Sequence, residues 1–183
     1  AFYKYISSVE SVSSRMPRLL ASDSATRTLL LEDVGQTHDF SDIYQAEWSP
    51  IKALPDLCQW LFDLHSLNPS AEIRKQFINR DMRILNCEHI FYFPLRAKNG
   101  LDLESITPGL SGLAQNMMEN KDYVIASEML GRRYMEDGNN LLHGDFFPGS
   151  WLYGIEEGHA WVIDPEFCFM GPAEFDLGIM MAH

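Results

Sequence analysis

At 183 residues, 46% of them hydrophobic, the chain is long enough to bury a sizeable core as one domain or a compact pair of lobes. A formal net charge of −12 argues against nucleic-acid binding through a basic patch. No run approaches the ~20 uninterrupted apolar residues of a membrane span, and the first residues lack the charged-then-apolar layout of a signal peptide. Cys58, Cys87 and Cys168 are odd in number and show no CxxC spacing, so neither a disulfide framework nor a zinc knuckle is expected, and a cytoplasmic setting is.

In chain order, "AFYKYISSVESV" predicts the later part of an amphipathic helix, with Phe2, Tyr5, Ile6 and Val9 at helical spacing. "PRLLASD" predicts a short strand turning at Asp23-Ser24, and "TRTLLLEDVG" a buried strand that ends at Gly35, the two forming an antiparallel pair. "DFSDIYQAEW" predicts a short helix capped by Asp39 or Ser41. "LPDLCQWLFDLHSLNP" predicts a core helix with Leu54, Leu57, Leu61, Leu64 and Leu67 on one stripe, ending before Pro69. Residues 70–100 fit no single pattern. "GLSGLAQNMMEN" and "YVIASEMLGRRYMED" predict two further helices, the second ending near Gly138. Beyond it come a loop or short strand, a strand with an acidic turn, and a loop leading into a helix.

Charge is unevenly spread. Residues 134–183 contain no Lys or Arg against nine acids, of which Asp145, Asp164, Glu166, Glu174 and Asp176 stand among Phe, Trp, Ile and Met. An unpaired carboxylate is costly to bury, so a cation is expected from outside the segment: a divalent ion, a cationic substrate, or the positive ends of helices. Asp145, in "LLHGDFFPGSW", fits either a turn residue or a carboxylate that takes a proton from an attacking hydroxyl. Asp164 and Glu166 flank Pro165 after the apolar "WVI" and before "FCFMGP", a setting that predicts limited exposure. Converging on one cation, they would suit Mg²⁺, which completes its octahedron with water and phosphate oxygens. His143 is expected to hydrogen-bond backbone in its loop. A Ser-His-Asp set from Ser150, His143 and Asp164 lacks the G-x-S-x-G elbow.

Taken together, H-G-D with a polar residue five further on, a strand ending in Asp-x-Glu, and G-P-x-x-F-D-L-G opening a helix resemble the aminoglycoside phosphotransferase/choline kinase family. "HGD…GS", "VIDPEFCFMGP" and "FDLG" look most like its methylthioribose kinases, although Phe147 and Pro148 stand where those tend to show His and Thr. The resemblance implies an α+β, protein-kinase-like fold. Residues 1–35 would be the end of a small β lobe and its hinge, and residues 36–183 a mainly helical large lobe. It implies an ATP- and Mg²⁺-dependent small-molecule kinase acting on a substrate hydroxyl, without nucleic-acid or membrane partners. By the same resemblance Asp145 is the catalytic base. Asp164 and Glu166 hold Mg²⁺, with Ser150 in place of the second-metal Asn. Asp176 anchors the catalytic loop, and Glu32 and Val34 offer the backbone carbonyl and N–H that read adenine. No G-x-G-x-x-G loop or strand-3 Lys is present, as expected of a fragment or, alternatively, of a catalytically degenerate binding protein.

Overall fold

The computed structural model describes residues 1–45, 52–155 and 158–183. These fall into two compact units, one of Ala1–Ile78 with Asn139–His183, the other of Asn79–Gly138.

The N-terminal helical pattern is realised as two pieces, α1 (Phe2–Ile6) and α2 (Glu10–Ser13). The break falls at two serines whose hydroxyls donate back to the Lys4 and Tyr5 carbonyls, at 2.9 and 3.2 Å, competing with helix continuation. Phe2, Ile6 and Val12 turn into the core. Strands β1 (Leu19–Asp23) and β2 (Thr28–Leu31) pair antiparallel as expected. Asp23 closes the turn by accepting from the Ala25 amide and the Thr26 hydroxyl. The second strand, expected to be buried, has Leu29 and Leu30 54% and 58% exposed in this chain, where β1 and β2 pair only with each other.

Strand β3 (Thr37–Asp39) leads into a 3₁₀ turn at Phe40–Gln45, where the Asp39 carboxylate accepts from the Ser41 amide at 2.8 Å. The rest of that expected helix, residues 46–48, lies outside the described residues. Helix α3 (Leu54–His65) carries Pro55 in its first turn and buries Leu57, Trp60, Leu61 and Leu64, while Leu54 at its start is about one-third exposed. Short helix α4 (Ala71–Arg74) begins on the Ser70 hydroxyl.

The second unit is helical. Helix α5 (Arg80–Cys87) continues through a π turn at Glu88–Tyr92 and a 3₁₀ turn at Phe93–Leu95, with Pro94 denying further helical bonding. Helices α6 (Leu103–Ile106), α7 (Leu110–Glu119) and α8 (Lys121–Tyr134) follow, the last two being the pair expected from the pattern. Asn120 caps α8 by accepting from the Asp122 and Tyr123 amides. Buried Arg83 gathers the Asp137 carboxylate and the Tyr134 and Glu136 carbonyls, tying off the end of α8.

Returning to the first unit, β4 (Asn140–Leu142) pairs antiparallel with β7 (Phe169–Gly171), and β5 (Trp151–Gly154) lies between β3 and β6 (Ala160–Val162) in an antiparallel sheet of three. Helix α9 (Glu174–Ala182) follows. The architecture is thus mixed α+β, with small sheets set against helices. The core of this unit gathers α1, α2 and α3 with Phe40, Leu141, Phe146, Trp151, Val162 and Met170. No described helix is long and apolar enough to cross a membrane, and the three cysteines are free thiols.

Candidate active site

Two antiparallel pairings bring the acidic motifs together. The loop His143–Ser150 joins β4 to β5, and the loop Ile163–Cys168 joins β6 to β7, so each loop starts on one sheet and ends on the other. The loops are stitched to each other: the Ile163 amide donates to the Ser150 carbonyl at 2.9 Å, and His143 Nε2–H donates to the Ile163 carbonyl at 2.9 Å. The other imidazole nitrogen, Nδ1, accepts from the Asp145 amide at 3.3 Å. With Nε2 a donor and Nδ1 an acceptor, His143 is the neutral tautomer. Full burial agrees, since it pushes the imidazole pKa down against the opposing pull of Asp176. His143 is a cross-brace rather than a base.

Gly144 is required where it stands. Its φ is +87°, and a Cβ there would lie 2.2 Å from the Phe167 carbonyl oxygen, so the two acidic loops touch backbone to backbone. Below the loop, Phe146 is fully buried and stacks on Trp60 of α3, ring centroids 5.5 Å apart and planes 8° from parallel. Trp60 also meets His143 edge-on and anchors its own Nε1–H on the Val12 carbonyl. Trp151 and Phe40 extend this aromatic floor.

Asp176, fully buried in the first turn of α9, accepts from the His143 amide at 2.8 Å and the Gly144 amide at 2.9 Å. His65 Nε2–H, from the last residue of α3, donates to the same carboxylate at 2.9 Å. The cation expected from outside the acidic segment is therefore unnecessary for this acid. Backbone amides and one imidazole satisfy it.

Asp145 is half-buried, and its carboxyl pKa is pushed up to about 6, first by burial and then by the neighbouring charges of Asp164, Glu166 and Asp176. Ser150 is buried, and its hydroxyl donates to the Asp145 carbonyl at 2.8 Å. Asp164 adopts the left-handed conformation, φ 60° and ψ 55°, a costly one for a residue other than glycine and one that clusters at functional sites. Contrary to the expectation from "WVI" and "FCFMGP", Asp164 and Glu166 are exposed. Pro165 between them is buried, so the turn packs through its proline and holds both carboxylates outward. Burial and the Asp164 charge raise the Glu166 pKa. The same charge, second to burial, helps push the buried Tyr3 hydroxyl of α1 up to about 12.

Asp164 and Glu166 are thus two exposed carboxylates on one turn, close enough for the charge of one to act on the other. Among the described residues no three His, Cys, Asp or Glu side chains converge on a metal position. A hard divalent ion that keeps water and phosphate oxygens fits this set, as Mg²⁺ does. Glu32 and Val34 lie on the connection between β2 and β3, where the Glu32 amide donates to the Arg18 carbonyl at 2.9 Å and its carboxylate accepts from the Arg18 amide. That connection runs into β3, the neighbour of β5.

A family model described as the phosphotransferase enzyme family matches residues 12–183, nearly the whole chain. The chain belongs to this family. Among similar proteins, a methylthioribose kinase of Exiguobacterium sibiricum is 31% identical over 112 residues, covering 61% of this chain and 28% of that protein. A methylthioribose kinase of Yersinia pestis is 26% identical over 176 residues, covering 91% of this chain and 42% of the relative. The chain thus spans less than half the length of these relatives.

Sequence reading missed what α3 contributes. Trp60 packs under the His143–Ser150 loop and His65 bonds the acid that holds it, whereas the leucine stripe points to packing alone. The signal for Trp60 was its place beside that stripe, one residue before Leu61 and three after Leu57.

Proposed function

We propose that the protein of which this chain is part transfers the γ-phosphoryl group of ATP to a hydroxyl of a small molecule, on a protein-kinase-like fold. Residues 1–35 would be the end of the small lobe with its hinge, and residues 36–183 the large lobe. The observation that carries this reading is that the loop of half-buried Asp145 is stitched by hydrogen bonds to the loop carrying left-handed Asp164 and exposed Glu166.

Asp145 accepts the proton of the acceptor hydroxyl as that oxygen bonds to the γ-phosphorus and the bond to the β–γ bridging oxygen breaks, leaving ADP. A carboxylate with a raised pKa is a better base than an ordinary one and is still ionised above pH 6. Asp164 and Glu166 would hold Mg²⁺, with Ser150 bordering the site. The ion, when bound, supplies charge neutralisation at the phosphates. The Ser150 hydroxyl spends its proton on the Asp145 carbonyl and keeps its oxygen lone pairs as acceptors, which is compatible with a weak ligand role. Glu32 and Val34 offer backbone groups to the adenine edge. The family membership and the methylthioribose kinases among its relatives support a small-molecule phosphotransferase. They make methylthioribose the first acceptor to try, ahead of aminoglycosides, choline and fructosamines.

The test is an ATP-consumption assay of the full-length protein across these acceptors, with wild type and Asp145→Asn. Wild type is expected to phosphorylate at least one of them. The variant should lose turnover by a factor of ~10² or more while still binding Mg-ATP. Full activity in the variant refutes the base assignment, and inactivity of wild type with intact nucleotide binding favours the degenerate binding protein.

A further inference from the structure

Strand β6 alternates: Ala160 and Val162 turn into the core, and Trp161 between them faces the other way. There Trp161 is one wall of a cavity of about 470 Å³, whose other sides are α1, α2, the start of β1 and the residue following β2. Tyr3, Ile6, Met16 and Leu19 give it an apolar lining. Of the residues proposed above for base, metal and adenine edge, only Glu32 belongs to that lining.

Charge and hydrogen bonding restrict what the cavity holds. Arg18 and Glu32, the charged side chains of its lining, are paired with each other at 3.7 Å, and the Glu32 carboxylate also accepts from the Arg18 amide. Neither sign of charge is left over for a ligand. The Trp161 Nε1–H, in contrast, is buried and has no hydrogen-bond partner among the described residues. Such a donor has lost its water without gaining a bond, so an acceptor brought to it recovers what burial cost. The His159 ring, 4.8 Å from the indole, backs it. We infer that this cavity is a binding site for a neutral, planar heteroaromatic molecule, which lies among Tyr3, Met16 and Trp161 and offers a ring nitrogen or carbonyl oxygen to the Trp161 N–H. Aromatic rings and a thioether favour a flat aromatic guest over an aliphatic one. Pockets for small ligands run to roughly 300–1,000 Å³ and orient their guests by a few polar groups set in apolar walls. The inference does not depend on the phosphotransferase reading.

Two-dimensional NMR of the full-length protein, titrated with isoquinoline and separately with naphthalene at a pH where both are neutral, tests it. The two probes are alike in shape, and only isoquinoline carries an acceptor. Trp161→Phe removes one indole N–H signal and so identifies it. In wild type that signal should move downfield with isoquinoline, with a Kd below about 1 mM, and respond much less to naphthalene. Trp161→Phe should weaken isoquinoline by roughly 5-fold, the size of one neutral hydrogen bond, and naphthalene by less than about 2-fold. Ser14→Phe, at an exposed position of the lining, should weaken both probes by filling the space. Saturating Mg-ATP should leave both affinities unchanged. An indole signal that stays in place, equal effects on the two probes in Trp161→Phe, undiminished binding in Ser14→Phe, or displacement of isoquinoline by Mg-ATP each overturns the site.

Discussion

His65 and Asp176, 111 residues apart in sequence, meet through a 2.9 Å hydrogen bond at the base of the His143–Ser150 loop. The imidazole is nearly buried and the carboxylate wholly so. The His65 carbonyl also accepts from Asn140 Nδ2 at 2.8 Å, so one residue at the end of α3 touches both the start of β4 and the acid that holds the loop following it.

Replacing His65 with Leu removes one of the three donors to a buried carboxylate. Unfolding free energy should fall by about 1–3 kcal/mol, the cost of a buried polar group left short of a partner. Because the loop amides share that carboxylate, kcat should drop about tenfold or more, with the KM for ATP changed little. His65→Gln, which keeps an N–H donor, should recover part of kcat. Chemical denaturation and steady-state kinetics of the full-length protein check both effects.

Asp145 should titrate near pH 6 in the metal-free protein, followed by carboxyl NMR. Two of the upward contributions are the charges of Asp164 and Glu166, so Asp164→Asn should move the midpoint down toward the ordinary carboxylate value. The folded state holds this proton more tightly than the unfolded chain. Asp145 therefore costs no stability below the unfolded value of 3.8, and the cost grows as pH rises from there through about 6. Asp145→Asn should consequently stabilise the metal-free protein at pH 7.5 by about 1–2 kcal/mol, after discounting for partial exposure, while abolishing turnover. A lowered melting temperature would contradict the sign.

Gly144→Ala places a methyl group 2.2 Å from the Phe167 carbonyl oxygen at a positive φ. Both backbone segments belong to the acidic loops, so neither can yield without moving Asp145 or Asp164. A loss of roughly 2–4 kcal/mol in stability is expected, together with near-complete loss of activity. Thermal melting alongside the kinase assay measures it.

Trp60→Leu removes the stack on Phe146 and the bond to the Val12 carbonyl while leaving apolar bulk. Stability should fall by about 2–4 kcal/mol, and Trp60→Phe, which keeps a ring, should lose about half as much. If the floor sets the height of the loop, kcat falls in Trp60→Leu even where the protein remains folded at the assay temperature.

The strand pair at residues 19–31 and the helices at 54–65, 110–119 and 121–134 were legible because their apolar spacing and turn residues are local. Exposure was not. Leu29 and Leu30 read as buried from their neighbours, yet within this chain they are exposed. Asp164 and Glu166 read as enclosed for the same reason, while the fold turns the intervening Pro165 inward instead. The N-terminal helix is split at Ser7 and Ser8 by bonds from their own side chains, which composition favours but periodicity does not register.

What the sequence by itself determined was the inventory and order of the chemistry: His-Gly-Asp, Asp-Pro-Glu and Phe-Asp-Leu-Gly, each short enough for its spacing to be set within one turn or loop. The tertiary structure alone decided which groups meet. It brought His65 and Trp60 of α3 under the loop, gave Asp176 its third donor in His65, and set Phe147 against His183. Those contacts join residues far apart along the chain and depend on how helices and sheets pack. The physical reason is that a local pattern fixes the direction of a side chain within its own element, whereas its partner is fixed only when two elements close on each other.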